Sequence, residues 1–262
     1  MENKPLISVV QNFICTIPER LEVIERNVPK LGEIWGDYEF FINYNHEENF
    51  EEVNTIYEKN IPKLNFYNNL EKDWASVTLA LVNKVTTPYV LFCCEDLELF
   101  LTKNEWGNII SESFVESDVD YILLQHIDKY NTQICANGCL SNPEDQASKI
   151  IISNWGRYPS PGYDEGENVW FYSGKYAPHK RISTDAVYKT EFFKELLTEF
   201  LEKGEDCTHD IPWRKKNIAN FYEGYYDFGN GMARFPDLKC AIPKNNIAKQ
   251  WNEVKQNRIW YK

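Results

Sequence analysis

The sequence contains no stretch approaching the ~18 consecutive apolar residues that a bilayer-spanning helix needs, so its hydropathy gives no transmembrane segment. Its first apolar run, Leu6 to Val10, is cut short by Gln11 and Asn12. That is too brief for a secretory leader, and the expectation is a soluble, cytoplasmic protein. Positive charge is also scarce: 28 basic residues face 40 acidic ones, a formal charge of -12. Such a surface repels nucleic acid and anionic lipid and favours a divalent cation as guest. Cysteines number seven, an odd set. The Cys135 to Cys139 spacing is one residue too long for a CxxC pair, so they read as buried thiols. There is no internal repeat, no low-complexity tail, and no loop with the glycine and lysine spacing that cradles a nucleotide phosphate.

What is present is an alternation. Five runs rich in β-branched and aromatic residues predict strands at 7–14, 38–43, 63–67, 88–94 and 120–125. Between them, 18–30, 47–59 and 74–85 predict helices. The third is capped by Asp73 and sets Trp74, Val77, Leu81 and Val85 on one face. Strand and helix in turn predict an α/β fold, a mostly parallel sheet flanked by helices, with ligands at the C-terminal ends of the strands. A single domain over 1–262 is expected, with 1–125 as its regular half and 126–262 as a less regular one. In the second half, 154–180 carries four glycines, three prolines and many aromatics, which predicts a long loop or a set of short elements over a site. A helix over 191–203 follows, with Thr190 as cap, Phe192, Phe193, Leu196, Leu197, Phe200 and Leu201 as its buried stripe, and Gly204 as its stop.

The strand at 88–94 ends in Glu95-Asp96-Leu97-Glu98. In an extended segment residues two apart share a side, so Asp96 and Glu98 converge while Leu97 faces the core. Two hard oxygen ligands suit Mg²⁺ or Mn²⁺, which take further ligands from water or phosphate. The plainer alternative is a strand that ends in solvent.

The succession Leu79-Ala80-Leu81-Val82-Asn83, Thr87-Pro88-Tyr89-Val90-Leu91-Phe92 and Glu95-Asp96-Leu97-Glu98 resembles GT-A-fold glycosyltransferases of the family-2-like branch. The likeness covers roughly residues 5 to 100, with Asp96-Leu97-Glu98 as a variant DxD motif in which Glu98 replaces the second aspartate. It implies a Rossmann-like GT-A fold, with 1–125 as the nucleotide-sugar half and 126–262 as the acceptor half. The activity the resemblance implies is metal-dependent and inverting: transfer of a sugar from a nucleotide-sugar donor to the hydroxyl of a saccharide or lipid-linked acceptor, with Mn²⁺ or Mg²⁺. Thr16 and Arg20 match the start of the nucleotide-contacting loop and helix, and Asn43 stands where the family often has a base-contacting aspartate. Glu205-Asp206 matches the acidic pair that holds the general base, with Asp206 preferred over Glu205 and Asp210. His209 matches a third metal ligand, or else is a packed or exposed histidine.

Arg181 and Arg234 are candidates to neutralise the departing diphosphate. Trp155, Tyr158, Tyr163, Trp170, Phe171, Tyr172 and Tyr176 offer faces to an acceptor sugar, or serve as core. The basic, aromatic 251–262 segment can rest on a membrane surface or dock as a terminal helix, and the overall charge favours docking. Glu95 is left at the margin of the site. Two other readings stay open: a non-catalytic carbohydrate- or nucleotide-binding protein on the same fold, and a metal-dependent phosphohydrolase or nucleotidyltransferase using the same acids.

Overall fold

A computed structural model of the protein describes residues 6–15, 18–70, 74–124, 163–173, 186–202, 239–244 and 247–250. The first strand, β1 (Ile7–Phe13), is buried at all seven positions, as befits a strand covered on both faces. It leads into α1 (Pro18–Trp35), which opens on proline at its first position, where a missing N–H costs nothing. The helix was expected to stop near residue 30. It runs on through Pro29 because Leu31, Ile34 and Trp35 continue the buried face begun by Val23, Ile24 and Val28. Each such burial is worth ~1.5–3 kcal/mol, enough together to offset an internal proline that costs ~3 kcal/mol.

Next come β2 (Glu39–Tyr44), α2 (Phe50–Asn60), β3 (Leu64–Tyr67), α3 (Trp74–Val82) and β4 (Tyr89–Phe92). Helix α3 stops short of the expected Val85 because its end tightens into three-residue turns, with Lys84 N–H donating to the Leu81 carbonyl and Val85 N–H to that of Val82. Val77, Leu81 and Val85 are nonetheless buried together, as their spacing predicted. Where α1 meets the end of α2 the backbones touch: a Cβ on Gly32 would lie 2.3 Å from the Asn60 carbonyl oxygen, so only glycine fits.

After β4 come β5 (Leu97–Leu99) and α4 (Lys103–Ile110), the latter started by a capping box between Thr102 and Glu105 and continued by a π-helical turn, Ser111–Glu116. Trp106 of α4 packs on Trp35 and donates its indole N–H to the Tyr38 hydroxyl at 2.9 Å. The remaining elements are β6 (Tyr121–Leu123), β7 (Tyr163–Glu165), β8 (Val169–Ser173), β9 (Ala186–Lys189), α5 (Thr190–Glu202), β10 (Lys239–Pro243) and β11 (Ala248–Gln250). Strands β7 and β8 pair inside the segment expected to be a loop or short elements. The helix expected over 191–203 is α5, which buries Phe193, Leu196 and Leu197; the Thr190 hydroxyl donates to the Thr87 carbonyl at 2.8 Å.

Nine strands form one sheet in the order β3-β2-β1-β4-β9-β6-β10-β8-β7, and β5 and β11 form a separate antiparallel ribbon. All strands of the sheet run one way except β9 and β8, so the architecture is α/β with a mostly parallel sheet. The sheet draws strands from both halves of the chain. The chain moves outward from β1 through β2 to β3, then crosses back to lay β4 against the other side of β1. Right-handed connections in opposite directions place their helices on opposite faces. In accord with this, α1 packs with α2, and α3 packs with α5. The reversal between β1 and β4 opens a crevice at their C-terminal ends, where open α/β sheets hold ligands.

Candidate functional site

The carboxylates expected from the sequence stand at that crevice. Beyond β4 the chain passes through Cys93 and Cys94 into a turn at Glu95–Asp96, then enters β5 at Leu97. The extended geometry that would align Asp96 with Glu98 is replaced by this turn because Leu97 is drawn fully into the core and β5 pairs with β11, Leu97 opposite Gln250. The acids that converge are therefore Glu95 and Asp96, at 0% and 2% exposure. Glu98 is half-buried in the middle of β5, between buried Leu97 and Leu99, with Lys249 as its register partner. Glu95, set at the margin by the sequence reading, is corrected into the centre.

Arg20, in the first turn of α1, is buried and forms an ion pair with Glu95. Removing two charges from water is costly, and close pairing recovers part of that cost. Asp96 has no such counter-ion to itself: among the described residues neither of its carboxylate oxygens has a hydrogen-bond partner of normal geometry. Burial raises its pKa, with the Arg20 guanidinium and its own backbone N–H pulling the other way. Ligand atoms of Cys94, Glu95 and Asp96 lie within 4.8 Å of one another, the one such group among the described residues. Orphaned, buried acceptors and an excess of negative charge fit a divalent cation.

A polar chain braces the turn from beneath. The Gln11 amide donates to the Cys94 carbonyl at 3.3 Å and lies 3.4 Å from the Cys93 sulfur, while its own oxygen accepts from the Tyr57 hydroxyl at 2.8 Å. Complete burial holds the Tyr57 pKa well above that of a free phenol, so it stays a donor. Across β1, Asn12 donates to the Thr78 hydroxyl at 3.0 Å and accepts from Asn43 at 3.1 Å. Asn43 also donates to the Asn69 carbonyl at 3.1 Å and accepts from the Asn69 N–H at 2.7 Å. Both ends of its amide are engaged in fixing the segment after β3, to which Asn45 adds a bond of 2.7 Å.

The structure thus brings Arg20 and Asp96 to one turn, with Asn43 on the neighbouring strand end and Glu98 just beyond. Thr16, Arg181, Asp206, His209 and Arg234 lie outside the described residues, as do the Asp73 cap and 251–262. Of the aromatic group, Phe171 is half-buried in β8. Sequence reasoning missed Cys94, Gln11 and Tyr57 as parts of the site. The signal for Gln11 was present: an amide inside an otherwise apolar strand must find partners there.

No family model and no curated protein sequence matches the chain. Among solved structures, it is similar to residues 1–349 of TarS from S. aureus, at 10% identity and a TM-score of 0.47, over 92% of this chain and 59% of that one. It is also similar to the mannosyltransferase PcManGT from Pyrobaculum calidifontis in complex with GDP-Man and Mn²⁺, at 10% identity and 0.45, over 74% of this chain and 47% of that one. A third is 4-diphosphocytidyl-2C-methyl-D-erythritol synthase from Anaerococcus prevotii, at 9% identity and 0.49, over 96% and 93%. The chain spans less than two thirds of the first two. No helix among the described residues is long and apolar enough to cross a membrane.

Proposed function

We propose that the protein is a metal-dependent glycosyltransferase that moves a sugar from a nucleotide-sugar donor to an acceptor hydroxyl with inversion. The observation that carries this reading is the buried Glu95–Asp96 turn at the crevice between β1 and β4, where neither Asp96 oxygen has a hydrogen-bond partner of normal geometry among the described residues. A divalent cation, Mn²⁺ or Mg²⁺, would supply charge neutralisation for a diphosphate leaving group there. Asp96 is its principal holder beside Glu95, with His209 as a further ligand in this reading. Arg20 holds Glu95 in place and sets a positive charge beside the donor's phosphates. Thr16 contacts the nucleotide, and Arg181 and Arg234 bind the diphosphate from the second half of the chain. Asn43 acts on the nucleotide through Asn69, whose backbone it fixes. Asp206 removes the proton of the attacking hydroxyl. Residues 1–125 bind the donor and 126–262 the saccharide or lipid-linked acceptor.

A thermal-shift screen of nucleotide-sugars with Mn²⁺ tests this, since a ligand that binds only the native state stabilises it by ~2.7 kcal/mol at a hundredfold excess over Kd. One nucleotide-sugar should raise the melting temperature in a metal-dependent way and be consumed with acceptor present. Stabilisation by none of them, or a nucleotide product with no sugar transferred, would refute the assignment.

A further inference from the structure

We propose that Cys94 supplies a thiolate to the cation site at the Glu95–Asp96 turn, so that this site takes Co²⁺ or Zn²⁺ in strong preference to Mg²⁺. The inference rests on the reading that a divalent cation binds at this turn, and concerns which ligands and which ion. Two observations carry it. The Cys94 sulfur and the Glu95 and Asp96 carboxylates present ligand atoms within 4.8 Å of one another. In a tetrahedral site, metal–sulfur and metal–oxygen bonds of about 2.3 and 2.1 Å set S···O at ~3.6 Å and O···O at ~3.4 Å, so side-chain adjustments of about 1 Å close the set. Asp96 is 2% exposed, both its oxygens lack hydrogen-bond partners among the described residues, and one of them belongs to this group.

The charges also close. Arg20 cancels Glu95, which leaves Asp96. With the Cys94 thiolate added, the cluster carries two net negative charges, the complement of a divalent ion. The thiol proton goes to solvent as the metal–sulfur bond forms. Mg²⁺ keeps several waters and dehydrates reluctantly, whereas these three side chains are only 0–4% exposed and leave little surface to a hydrated ion. Thiolate ligation selects softer ions. The backbone is set for this role: Gln11 holds the Cys94 carbonyl, and the Cys93 sulfur lies instead near the Gln11 amide.

The test is a titration of the full, metal-stripped chain with CoCl₂, followed by absorption. The expected result is a thiolate-to-cobalt charge-transfer band in the near ultraviolet, displaced by Zn²⁺ but not by an equal concentration of Mg²⁺. Cys94→Ser should abolish the band and lower Co²⁺ affinity at least ~10-fold, while Cys93→Ser keeps the band; circular dichroism verifies that both variants fold. Co²⁺ binding without the band, unchanged affinity in Cys94→Ser, or displacement by Mg²⁺ as effective as by Zn²⁺ would overturn the proposal. A chain that binds none of Co²⁺, Zn²⁺ or Mn²⁺ overturns it together with the cation reading. Mn²⁺-dependent sugar transfer with no cobalt band overturns the thiolate alone.

Discussion

Replacing Arg20 with methionine keeps an unbranched apolar stem but removes the cation paired with Glu95. Glu95 is 0% exposed and Asp96, beside it, is 2% exposed, so two carboxylates would then share a buried turn. Breaking a buried pair by deleting one partner costs ~3–5 kcal/mol, a large part of the ~5–15 kcal/mol that holds a domain folded. With a urea m-value of about 2–3 kcal/mol/M the unfolding midpoint should fall by roughly 1–2 M. Glu95→Gln introduced with Arg20→Met removes the stranded charge and should recover more than half of the loss, because the penalty lies in the uncompensated carboxylate. The assay is urea unfolding of wild type, both single variants and the double variant, read as a double-mutant cycle. A loss below ~1 kcal/mol in Arg20→Met, or no recovery in the double variant, would refute the claim that this pair is buried and coupled.

Three further outcomes are expected. The Asp96 pKa is raised in the folded state, so its contribution to stability is full below the unfolded value, ~3.9, and is lost as pH rises through the folded one. Asp96→Asn should therefore flatten that part of the stability–pH profile of the metal-free protein and abolish stabilisation by added Mn²⁺; thermal melts from pH 3 to 8 measure both. Gly32→Ala places a methyl 2.3 Å from the Asn60 carbonyl oxygen, a backbone atom that cannot swing away, and should destabilise by ~1–3 kcal/mol in chemical denaturation. Tyr57→Phe leaves the buried Gln11 oxygen without its donor and should cost ~1–3 kcal/mol, with weaker cation binding by calorimetry as the turn above loosens.

The alternation of strands and helices was legible in the sequence because it rests on local periodicity, and β1 to β4 with α1 to α3 lie close to where that periodicity puts them. Their ends were less legible. Pro29 reads as a stop, yet the core contacts of Leu31, Ile34 and Trp35 carry α1 past it. The hairpin of β7 and β8 could not be told from loop in a stretch rich in glycine and proline, since its pairing with β10 comes from a segment far along the chain.

The site divides in the same way. By itself the sequence determined that a buried strand delivers acidic side chains to a sheet edge, because an apolar run that breaks into carboxylates allows little else. Tertiary structure alone decided which acids meet. The burial of Leu97 and the pairing of β5 with β11 bend the chain at Glu95–Asp96, and a helix three strands earlier in the chain sends Arg20 to hold the first of them. Asn43 stands at the strand end that the pattern predicted, but only the folded chain shows its amide spent on Asn12 and Asn69. Periodicity is a property of neighbours in sequence; convergence of charge depends on partners that folding brings from a distance.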